Sequence, residues 1–459
     1  MIQTRAQVAA LPLRRRRGLL VSERRLLLIA TDVAAVALAY ITAFNLRTAQ
    51  VREVGFYLPR SGTVICVAVW LGAARLMDAY DLRTAASVRA TLHVVGGSLM
   101  LTLAGLMVVF FVMPYRVTRP TVLLWLPVAA VTVTVGRLIY RRTLQSAALA
   151  QPIALVATGE VLEHIWPDVR DHAATLYRVR GLVDPTKPEA AAKLTELAIS
   201  GHVSQVVLGV REDVSRELFR VLLRCYDTGV TVRSLADVYE ELTGRLLLDQ
   251  LGHAWLISLP MRSETSRLYA VCKRSIDIVA ATAGLLALAL ILPAVSLATK
   301  LSGRGPVFHR QTRIGKYGRP FTLWKLRTMR SSLEDGGEWA RRGDPRVTPV
   351  GRVLRKLHLD ELPQTWAILR GDMSLVGPRP EQPHYVEELR RQIDFYDTRL
   401  TVRPGLTGWA QVSYGYGSGL DGTRVKLSYD LYYVKRQSLS LDLLIMGRTL
   451  KSVLSLSGR

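Results

Sequence analysis

Cysteine is scarce in this chain, with only Cys66, Cys225 and Cys272 among 459 residues. The three lie far apart in the sequence, which excludes a disulfide framework and a CxxC metal site. Such low cysteine usage without paired spacing is typical of a protein that faces a reducing compartment such as the cytoplasm.

Aromatic and acidic residues are also few. Aromatics make up 7% of the chain, and 37 acidic residues stand against 61 basic ones, for a formal net charge of +24. No Lys/Arg tract is interleaved with aromatics for base stacking, so nucleic acid is the least favoured partner. Strong basicity together with 49% hydrophobic residues indicates a membrane protein whose water-exposed parts meet phospholipid head groups or a phosphorylated substrate.

Four apolar segments occupy the first third of the chain, each close to the ~20 residues that cross hydrocarbon as a helix. They cover residues 26–44, 61–77, 92–113 and 121–139. The basic stretch before the first segment is richer in arginine than the loop after it. By the positive-inside rule, residues 1–25 form a basic cytoplasmic tail. We therefore predict a four-helix transmembrane domain over residues 26–145.

Residues 150–266 alternate between short buried-strand patterns, such as PIALVAT and SQVVLGV, and helical patterns such as AAAKLTELAIS. This alternation predicts an α/β domain with a parallel sheet, Rossmann-like in type. The turn after the first strand contains a single glycine, Gly159, where a dinucleotide site requires GxGxxG. We interpret the domain as structural or regulatory rather than cofactor-binding.

A fifth apolar segment, residues 276–299, is flanked by basic residues on both sides and contains Pro293. Positive-inside reasoning favours both of its ends on the cytoplasmic side, and an internal proline can bend a helix. Both facts favour a re-entrant helix that dips into the membrane and returns. A fifth spanning helix is the alternative.

The stretch LHLDELPQTWAILRGDMSLVGPRP places two adjacent carboxylates, Asp360 and Glu361, before a proline and an apolar run. One interpretation is structural, with Asp360 as a helix N-cap. The other is a phosphotransfer site, with a carboxylate nucleophile beside a carboxylate, Glu361, that holds Mg²⁺. The phosphotransfer interpretation is favoured by basic residues in nearby Gly/Pro-rich turns, whose side chains can bind phosphate oxygens. The alternative for each of these residues is an interaction with lipid head groups. The basic residues are Lys325, Arg327, Arg352, Arg355, Arg379 and Arg403.

Longer motifs cover nearly all of residues 272–450. They include KRSIDIV, GPVFHRQTRIGKYGRPFTLWKLRTMR, VRPGLTGWAQV and KLSYDLYYVKRQSLSLDL, with the acidic stretch in order between them. Together they resemble the bacterial sugar transferases, the polyprenyl-phosphate hexose-1-phosphate transferases or phosphoglycosyl transferases. The N-terminal membrane segments and the Rossmann-like domain are similar to the large branch of that family, and the YGYGSGLDG segment to members of the exopolysaccharide type.

The resemblance implies transfer of a sugar 1-phosphate, commonly of glucose or galactose, from a UDP-sugar to undecaprenyl phosphate with release of UMP. It implies a covalent phosphosugar intermediate on Asp360, assistance by Glu361 with Mg²⁺, and initiation of exopolysaccharide or capsule synthesis. The KLRTM and PRP motifs match at Lys325, Arg327 and Arg379, with Pro378 and Pro380 shaping the turn. The helix-breaking proline of the family matches Pro293. Its residues that fix the helix at the membrane interface match Lys273, Arg274 and Asp277.

The resemblance also implies a monotopic, mainly α catalytic domain over residues 267–459, on the cytoplasmic face of the bacterial inner membrane. A homodimer through the membrane and middle domains is one option for its oligomeric state. The chain departs from the family pattern at His309 and His358, and His358 is either an acid/base group or an ordinary polar substitution.

Two other functions compete with this one. A membrane-anchored nucleotide-sugar dehydratase or epimerase requires an intact glycine loop and a Tyr-xxx-Lys pair. The sequence has only Tyr269 and Lys273 in that spacing, far from any glycine loop. A catalytically inactive polysaccharide-assembly scaffold would not need the acidic pair or the KLRTM and PRP motifs.

Overall fold

The computed structural model describes residues 21–49, 60–112, 119–144, 150–173, 176–199, 203–210, 214–248, 267–302, 305–329, 346–414 and 419–454. The chain divides into two compact units, the first ending at Thr243 and the second beginning at Gly244. The predicted tail falls mostly outside the described residues, as does the predicted domain boundary at residue 266.

The first unit begins with helices in all four predicted apolar segments. They are α1 (Val21–Ala49), α2 (Arg60–Leu76), the short α3 (Leu82–Ala86), α4 (Val88–Val112) and α5 (Arg119–Leu144). Three of them, α1, α4 and α5, are long and apolar enough to cross a membrane. The second predicted segment forms the shorter α2, whose 17 residues span about 26 Å. The fourth helix of membrane-spanning length is the predicted fifth segment, described below.

A buried ion pair joins three helices of this region and the turn that follows α2. Arg137 on α5 donates from Nε and Nη2 to the two carboxylate oxygens of Asp32 on α1, at 3.0 and 2.6 Å. Trp70 on α2 donates to the same carboxylate at 3.2 Å, and Arg137 Nη1 donates to the Ala79 carbonyl at 3.1 Å. Both charged side chains are almost fully buried. The pair satisfies the hydrogen-bonding groups that an apolar interior would otherwise leave without partners.

The rest of the first unit is an alternating α/β structure, as predicted. Its elements are β1 (Gln151–Ala157), α6 (Gly159–His164), α7 (Trp166–Ala173), β2 (Tyr177–Val183), α8 (Ala190–Ile199), β3 (Gln205–Gly209), α9 (Arg216–Asp227), β4 (Thr231–Ser234) and α10 (Leu235–Thr243). The strands pair in the order β2-β1-β3-β4, and every pairing is parallel. All seven residues of β1 are buried, as in a strand covered on both faces. The predicted small parallel sheet is therefore confirmed.

The second unit is mainly helical, as predicted. It contains α11 (Arg267–Leu301), β5 (Phe308–Ile314), β6 (Pro320–Leu326), α12 (Pro349–Lys356), α13 (Thr365–Arg370), β7 (Ser374–Val376), α14 (Pro383–Gln392), β8 (Gly405–Thr407), α15 (Trp409–Ser413), α16 (Gly419–Lys435) and α17 (Leu439–Leu454). Three 3₁₀ segments, Lys316–Gly318, Leu359–Gln364 and Tyr396–Thr401, join these elements. Strands β5 and β6 form an antiparallel pair, and β7 and β8 a parallel one.

Helix α11 runs without interruption through Pro293 for 35 residues, or about 52 Å. Its buried residues, Asp277, Ala281, Leu288 and Thr299, recur at intervals that lie on one face of a helix. That face packs on the second unit along most of its length, while much of the remaining surface is exposed and apolar. Both ends of α11 therefore contact the same globular structure.

Candidate active site

The adjacent carboxylates Asp360 and Glu361 lie within the 3₁₀ segment Leu359–Gln364, between α12 and α13. The position before this segment belongs to His358, which has a left-handed backbone (φ 55°) and makes no side-chain capping hydrogen bond. Asp360 is thus not an N-cap, and the capping interpretation of this residue is wrong. Both carboxyl side chains in this segment are partly buried.

Glu361 accepts hydrogen bonds from two cations through a single oxygen. Lys325 Nζ, on β6, lies 3.2 Å from Glu361 Oε1, and Arg379 Nη2 lies 2.9 Å from the same atom. The structure therefore brings together residues that are 36 and 18 positions away from Glu361 in sequence. Of the six basic residues singled out in the sequence, these two contact the acidic pair directly.

The surroundings shift the pKa values of the two carboxyl groups in opposite directions. Burial acts to raise the pKa of Glu361, but the charges and hydrogen bonds of Arg379 and Lys325 outweigh it and hold this pKa well below its usual range. Burial, and next the charge of Glu361, raises the pKa of Asp360 against the opposing charges of Lys325 and Arg355. Adjacent carboxyl groups with separated pKa values are characteristic of sites that do chemistry.

The low pKa of Glu361 has a defined consequence for stability. A carboxyl group whose pKa is lower in the folded than in the unfolded chain stabilises the fold above its unfolded pKa, about 4.3 for glutamate. That contribution is lost as the pH falls through the folded pKa. At neutral pH Glu361 is ionised, and burial also lowers the pKa of its partner Lys325.

Arg379 lies in a turn between two buried prolines, Pro378 and Pro380. The Arg379 side chain is 46% exposed. The turn follows β7, and Gly377 before it leaves no room for a side chain because a Cβ would collide with the Arg403 carbonyl oxygen. Gly377 N–H donates to the carbonyl of Thr407, the last residue of β8, at 2.9 Å. The β7–β8 pair therefore fixes the base of the turn that presents Arg379 to Glu361.

The other predicted basic residues occupy different surroundings. Arg355 donates from Nε to Thr328 Oγ1 at 2.9 Å, and its charge acts on Asp360. Arg327 is buried and donates to the Thr299 carbonyl near the end of α11 at 3.0 Å. Arg352 is exposed on α12. Arg403 is exposed beside Gly371, at the end of α13 away from the carboxylates.

The predicted interface residues at the start of α11 bind within the second unit. Arg274 donates to the Ile368 and Leu369 carbonyls at 2.7 Å each, a favourable cation at the C-terminus of α13. Asp277 accepts from Ser374 Oγ at 3.0 Å and from the Leu375 N–H at 2.9 Å. These bonds attach α11 to α13 and β7, the two elements that follow the acidic pair in the chain.

Two residues that the sequence did not single out complete this attachment. Asp442 Oδ2 accepts from both Lys273 and Tyr269 at 2.9 Å, and Tyr433 donates to Asp442 Oδ1 at 2.8 Å. Asp442 and Tyr433 lie inside the quoted C-terminal motif, which was the available signal for them. The shared carboxylate gives the Tyr269/Lys273 pair a structural partner, unlike the proton-transfer pair of a dehydratase.

The described residues contain no group of three or more His, Cys, Asp or Glu side chains able to hold a metal ion. The described residues therefore do not form a site that encloses a metal ion with protein ligands alone. Glu361 Oε1 is occupied by two cations, which leaves Oε2 and the Asp360 carboxylate as oxygen donors. One or two carboxylates plus substrate phosphate is the usual donor set of Mg²⁺, and the residues fit that set.

Comparisons with known proteins identify the family to which the chain is similar. The profile of the family described as bacterial sugar transferase matches residues 268–456. The UDP-N-acetylgalactosamine-undecaprenyl-phosphate N-acetylgalactosaminephosphotransferase of Aeromonas hydrophila is 43% identical over 252 residues, 54% of this chain and 59% of that protein. The UDP-glucose:undecaprenyl-phosphate glucose-1-phosphate transferase of Escherichia coli K12 is 35% identical over 260 residues, 56% of each chain.

The match thus spans little more than half the length of these two curated relatives. A shorter relative is covered more completely. The UDP-glucose:undecaprenyl-phosphate glucose-1-phosphate transferase of Caulobacter vibrioides is 45% identical over 188 residues, 40% of this chain and 70% of that protein.

Proposed function

Because this chain belongs to the bacterial sugar transferase family, we propose that it transfers a sugar 1-phosphate from a UDP-sugar to undecaprenyl phosphate. The observation that carries the proposal is the contact of Lys325 and Arg379 with Glu361, directly beside Asp360. The three relatives described above act, according to their names, on undecaprenyl phosphate with either UDP-glucose or UDP-N-acetylgalactosamine. We propose a hexose as the transferred sugar.

The first step of the proposed reaction forms a bond between an Asp360 carboxylate oxygen and the phosphorus that carries the sugar. The bond from this phosphorus to the bridging oxygen breaks, and UMP leaves with that oxygen. In the second step an oxygen of undecaprenyl phosphate attacks the same phosphorus. The aspartyl–phosphorus bond then breaks, which gives a diphosphate-linked lipid sugar and restores the Asp360 carboxylate.

The surrounding residues have separate roles in this proposal. Glu361 holds Lys325 and Arg379 at one edge of the carboxylate pair, where both cations also face an incoming diphosphate. Arg355 adds positive charge near Asp360 and favours its ionised, nucleophilic form. Burial and the charge of Glu361 oppose that ionisation, so Asp360 depends on nearby positive charge to act as a nucleophile.

We propose that Glu361 would hold Mg²⁺ through its second oxygen, beside the substrate diphosphate. When bound there, the ion neutralises phosphate charge and lowers the pKa of the adjacent carboxyl group. Lys325 and Arg379 keep Glu361 ionised and oriented for this role.

We also propose that α11 is re-entrant and that the catalytic part lies on the cytoplasmic face of the inner membrane. The support is that both ends of α11 bind the same globular structure, through Asp277 at one end and Thr299 at the other. A helix that crossed the hydrocarbon perpendicularly would carry these two contacts to opposite sides.

The parallel sheet of the first unit, with its order β2-β1-β3-β4, supports a Rossmann-like domain with a structural or regulatory role.

The activity is tested with the full chain in detergent, undecaprenyl phosphate and a panel of UDP-sugars, by measuring UMP release. We expect release with at least one donor and a phosphosugar adduct on the wild-type protein. Asp360→Asn should abolish both, whereas Asp372→Asn, at the other end of α13, should retain both. No release with any donor would refute the function, and turnover by Asp360→Asn would refute the nucleophile.

The topology is tested by cysteine labelling at the exposed residues Leu268 and Leu301 near the two ends of α11. In a background with Cys272→Ser, both Leu268→Cys and Leu301→Cys should react only from the cytoplasmic side. Labelling from opposite sides would establish a spanning helix.

Removal of Mg²⁺ with a chelator should stop UMP release, and undiminished turnover would contradict the metal proposal.

A further inference from the structure

The turn that presents Arg379 is held through its carbonyl groups. Two of its residues are prolines, which have no N–H to donate, so the backbone of the turn depends on what its carbonyls accept. Four consecutive carbonyls, from Pro378 to Glu381, each accept a hydrogen bond. The donors are, in order, Gly405 N at 2.9 Å, Arg399 Nη2 at 2.8 Å, Arg313 Nη1 at 3.1 Å and Ile314 N at 2.9 Å.

Arg399 is the more buried of the two arginine side chains among these donors, with 7% exposure against 17% for Arg313. Its guanidinium donates from Nε to Asp430 Oδ2 at 3.0 Å and from Nη1 to the Tyr396 hydroxyl at 2.9 Å. Nη2 lies 2.8 Å from Asp430 Oδ2 and 2.8 Å from the Arg379 carbonyl oxygen. Asp430 and Tyr396 are themselves buried, on α16 and at the start of a 3₁₀ segment.

A buried ion pair is a costly way to fill a protein interior, because apolar side chains of similar volume often stabilise it as well or better. What this pair adds is a rigid donor aimed at a single backbone oxygen. The planar guanidinium can hold the carboxylate, the hydroxyl and the carbonyl in one fixed orientation, which a lysine ammonium cannot. The carbonyl it holds belongs to the residue whose side chain contacts Glu361.

We propose that Arg399, oriented by Asp430 and Tyr396, is a positioning residue that sets the Arg379 side chain on Glu361. Its effect on the rate rests on the proposed function, while its effect on the turn does not. Fixing the Arg379 carbonyl fixes the backbone from which the guanidinium extends to Glu361 Oε1, 2.9 Å away. Arg399 itself touches neither carboxylate of the acidic pair in the described structure.

The first test measures the turn without reference to activity, by amide hydrogen exchange in the full chain. Gly405 and Ile314 donate their N–H groups to carbonyls on either side of the one that Arg399 holds. In Arg399→Lys we expect exchange of both amides to rise about tenfold or more. The matched control is Arg390→Lys, which alters an exposed ion pair with Asp397 and should change neither. Unchanged exchange in Arg399→Lys would overturn the proposal.

The second test asks whether the effect passes through Arg379. In the wild-type background, Arg399→Lys should lower kcat/KM about tenfold or more, and in an Arg379→Ala background it should cost little further. Equal losses in both backgrounds would mean a general structural role and would overturn the link to Arg379. If the wild-type chain releases no UMP, the proposed function fails, and amide exchange alone decides the positioning role.

A milder variant covers the case in which Arg399→Lys does not fold. Tyr396→Phe removes only the hydroxyl that accepts from Arg399 Nη1 and leaves the pair with Asp430 in place. The same two measurements then apply, with smaller increases in exchange at Gly405 and Ile314. Wild-type exchange together with wild-type kcat/KM in Tyr396→Phe would contradict the role given to Tyr396.

Discussion

Replacing Asp32 by asparagine tests how the helices of the first unit are held together. The substitution keeps the shape of the side chain and removes its charge. Arg137 would then lie buried without a counter-ion, and the new amide N–H₂ would face guanidinium donors. In the native structure the carboxylate accepts two bonds from Arg137, at 3.0 and 2.6 Å, and one from Trp70 at 3.2 Å.

The size of the effect follows from burial. Asp32 and Arg137 have side-chain exposures of 0% and 2%, so solvent screens the pair very little. Removing one partner of such a pair costs about 3–5 kcal/mol because the remaining charge is left uncompensated. For a structure of about 150–250 residues, each kcal/mol shifts the unfolding midpoint by about 2–4 °C. We therefore expect Asp32→Asn to unfold about 6–20 °C below the wild type.

The assay is thermal unfolding of the full chain in detergent, followed by tryptophan fluorescence. The double variant Asp32→Leu/Arg137→Met should recover about half of the loss, because it removes both charges and fills the space with apolar groups. Its residual cost, about 1–3 kcal/mol, is that of the Trp70 N–H left without an acceptor. Asp397→Asn, in an exposed ion pair, is the control and should have little effect. A wild-type midpoint for Asp32→Asn would refute the reasoning.

Three further predictions concern the second unit. Arg379→Ala should raise the pKa of Glu361, so the stability that the ionised carboxylate contributes should be lost at a higher pH than in the wild type, measured as an acid-unfolding midpoint at higher pH; an unshifted midpoint would contradict this. Gly377→Ala should lower kcat/KM by at least about tenfold, because a Cβ would displace the backbone of the turn. Gly284→Ala would place a Cβ 2.7 Å from Thr365 Cγ2, so it should lower the unfolding midpoint, and Thr365→Ser in the same chain should restore it.

Much of the architecture could be predicted from local sequence. Apolar runs of membrane length, alternating strand and helix patterns, and the arginine distribution depend on neighbouring residues alone. The structure accordingly has helices in the predicted apolar segments and a parallel sheet in the predicted α/β region. The second predicted segment, residues 61–77, is short, and α2 has the same length of 17 residues.

The basic residues around the acidic pair were harder to rank. Arginines in Gly/Pro-rich turns look alike in sequence, yet Arg379 contacts Glu361, Arg327 binds a carbonyl near the end of α11, and Arg403 lies beside Gly371. Which way such a side chain points depends on the strand or helix that carries the turn. The KLRTM and PRP motifs identified Lys325, Arg327 and Arg379, and composition alone could not have separated these three from Arg403.

The sequence by itself determined the apolar helices, the α/β alternation and the identity of the acidic pair, because each is encoded in contiguous residues. Only the tertiary structure decided which distant residues meet. Asp32 and Arg137 are 105 positions apart, and Arg399 and Asp430 are 31 apart. Such pairs form where helix packing removes both groups from water. A buried charge is costly unless it is paired, so each group requires the other as its counter-ion.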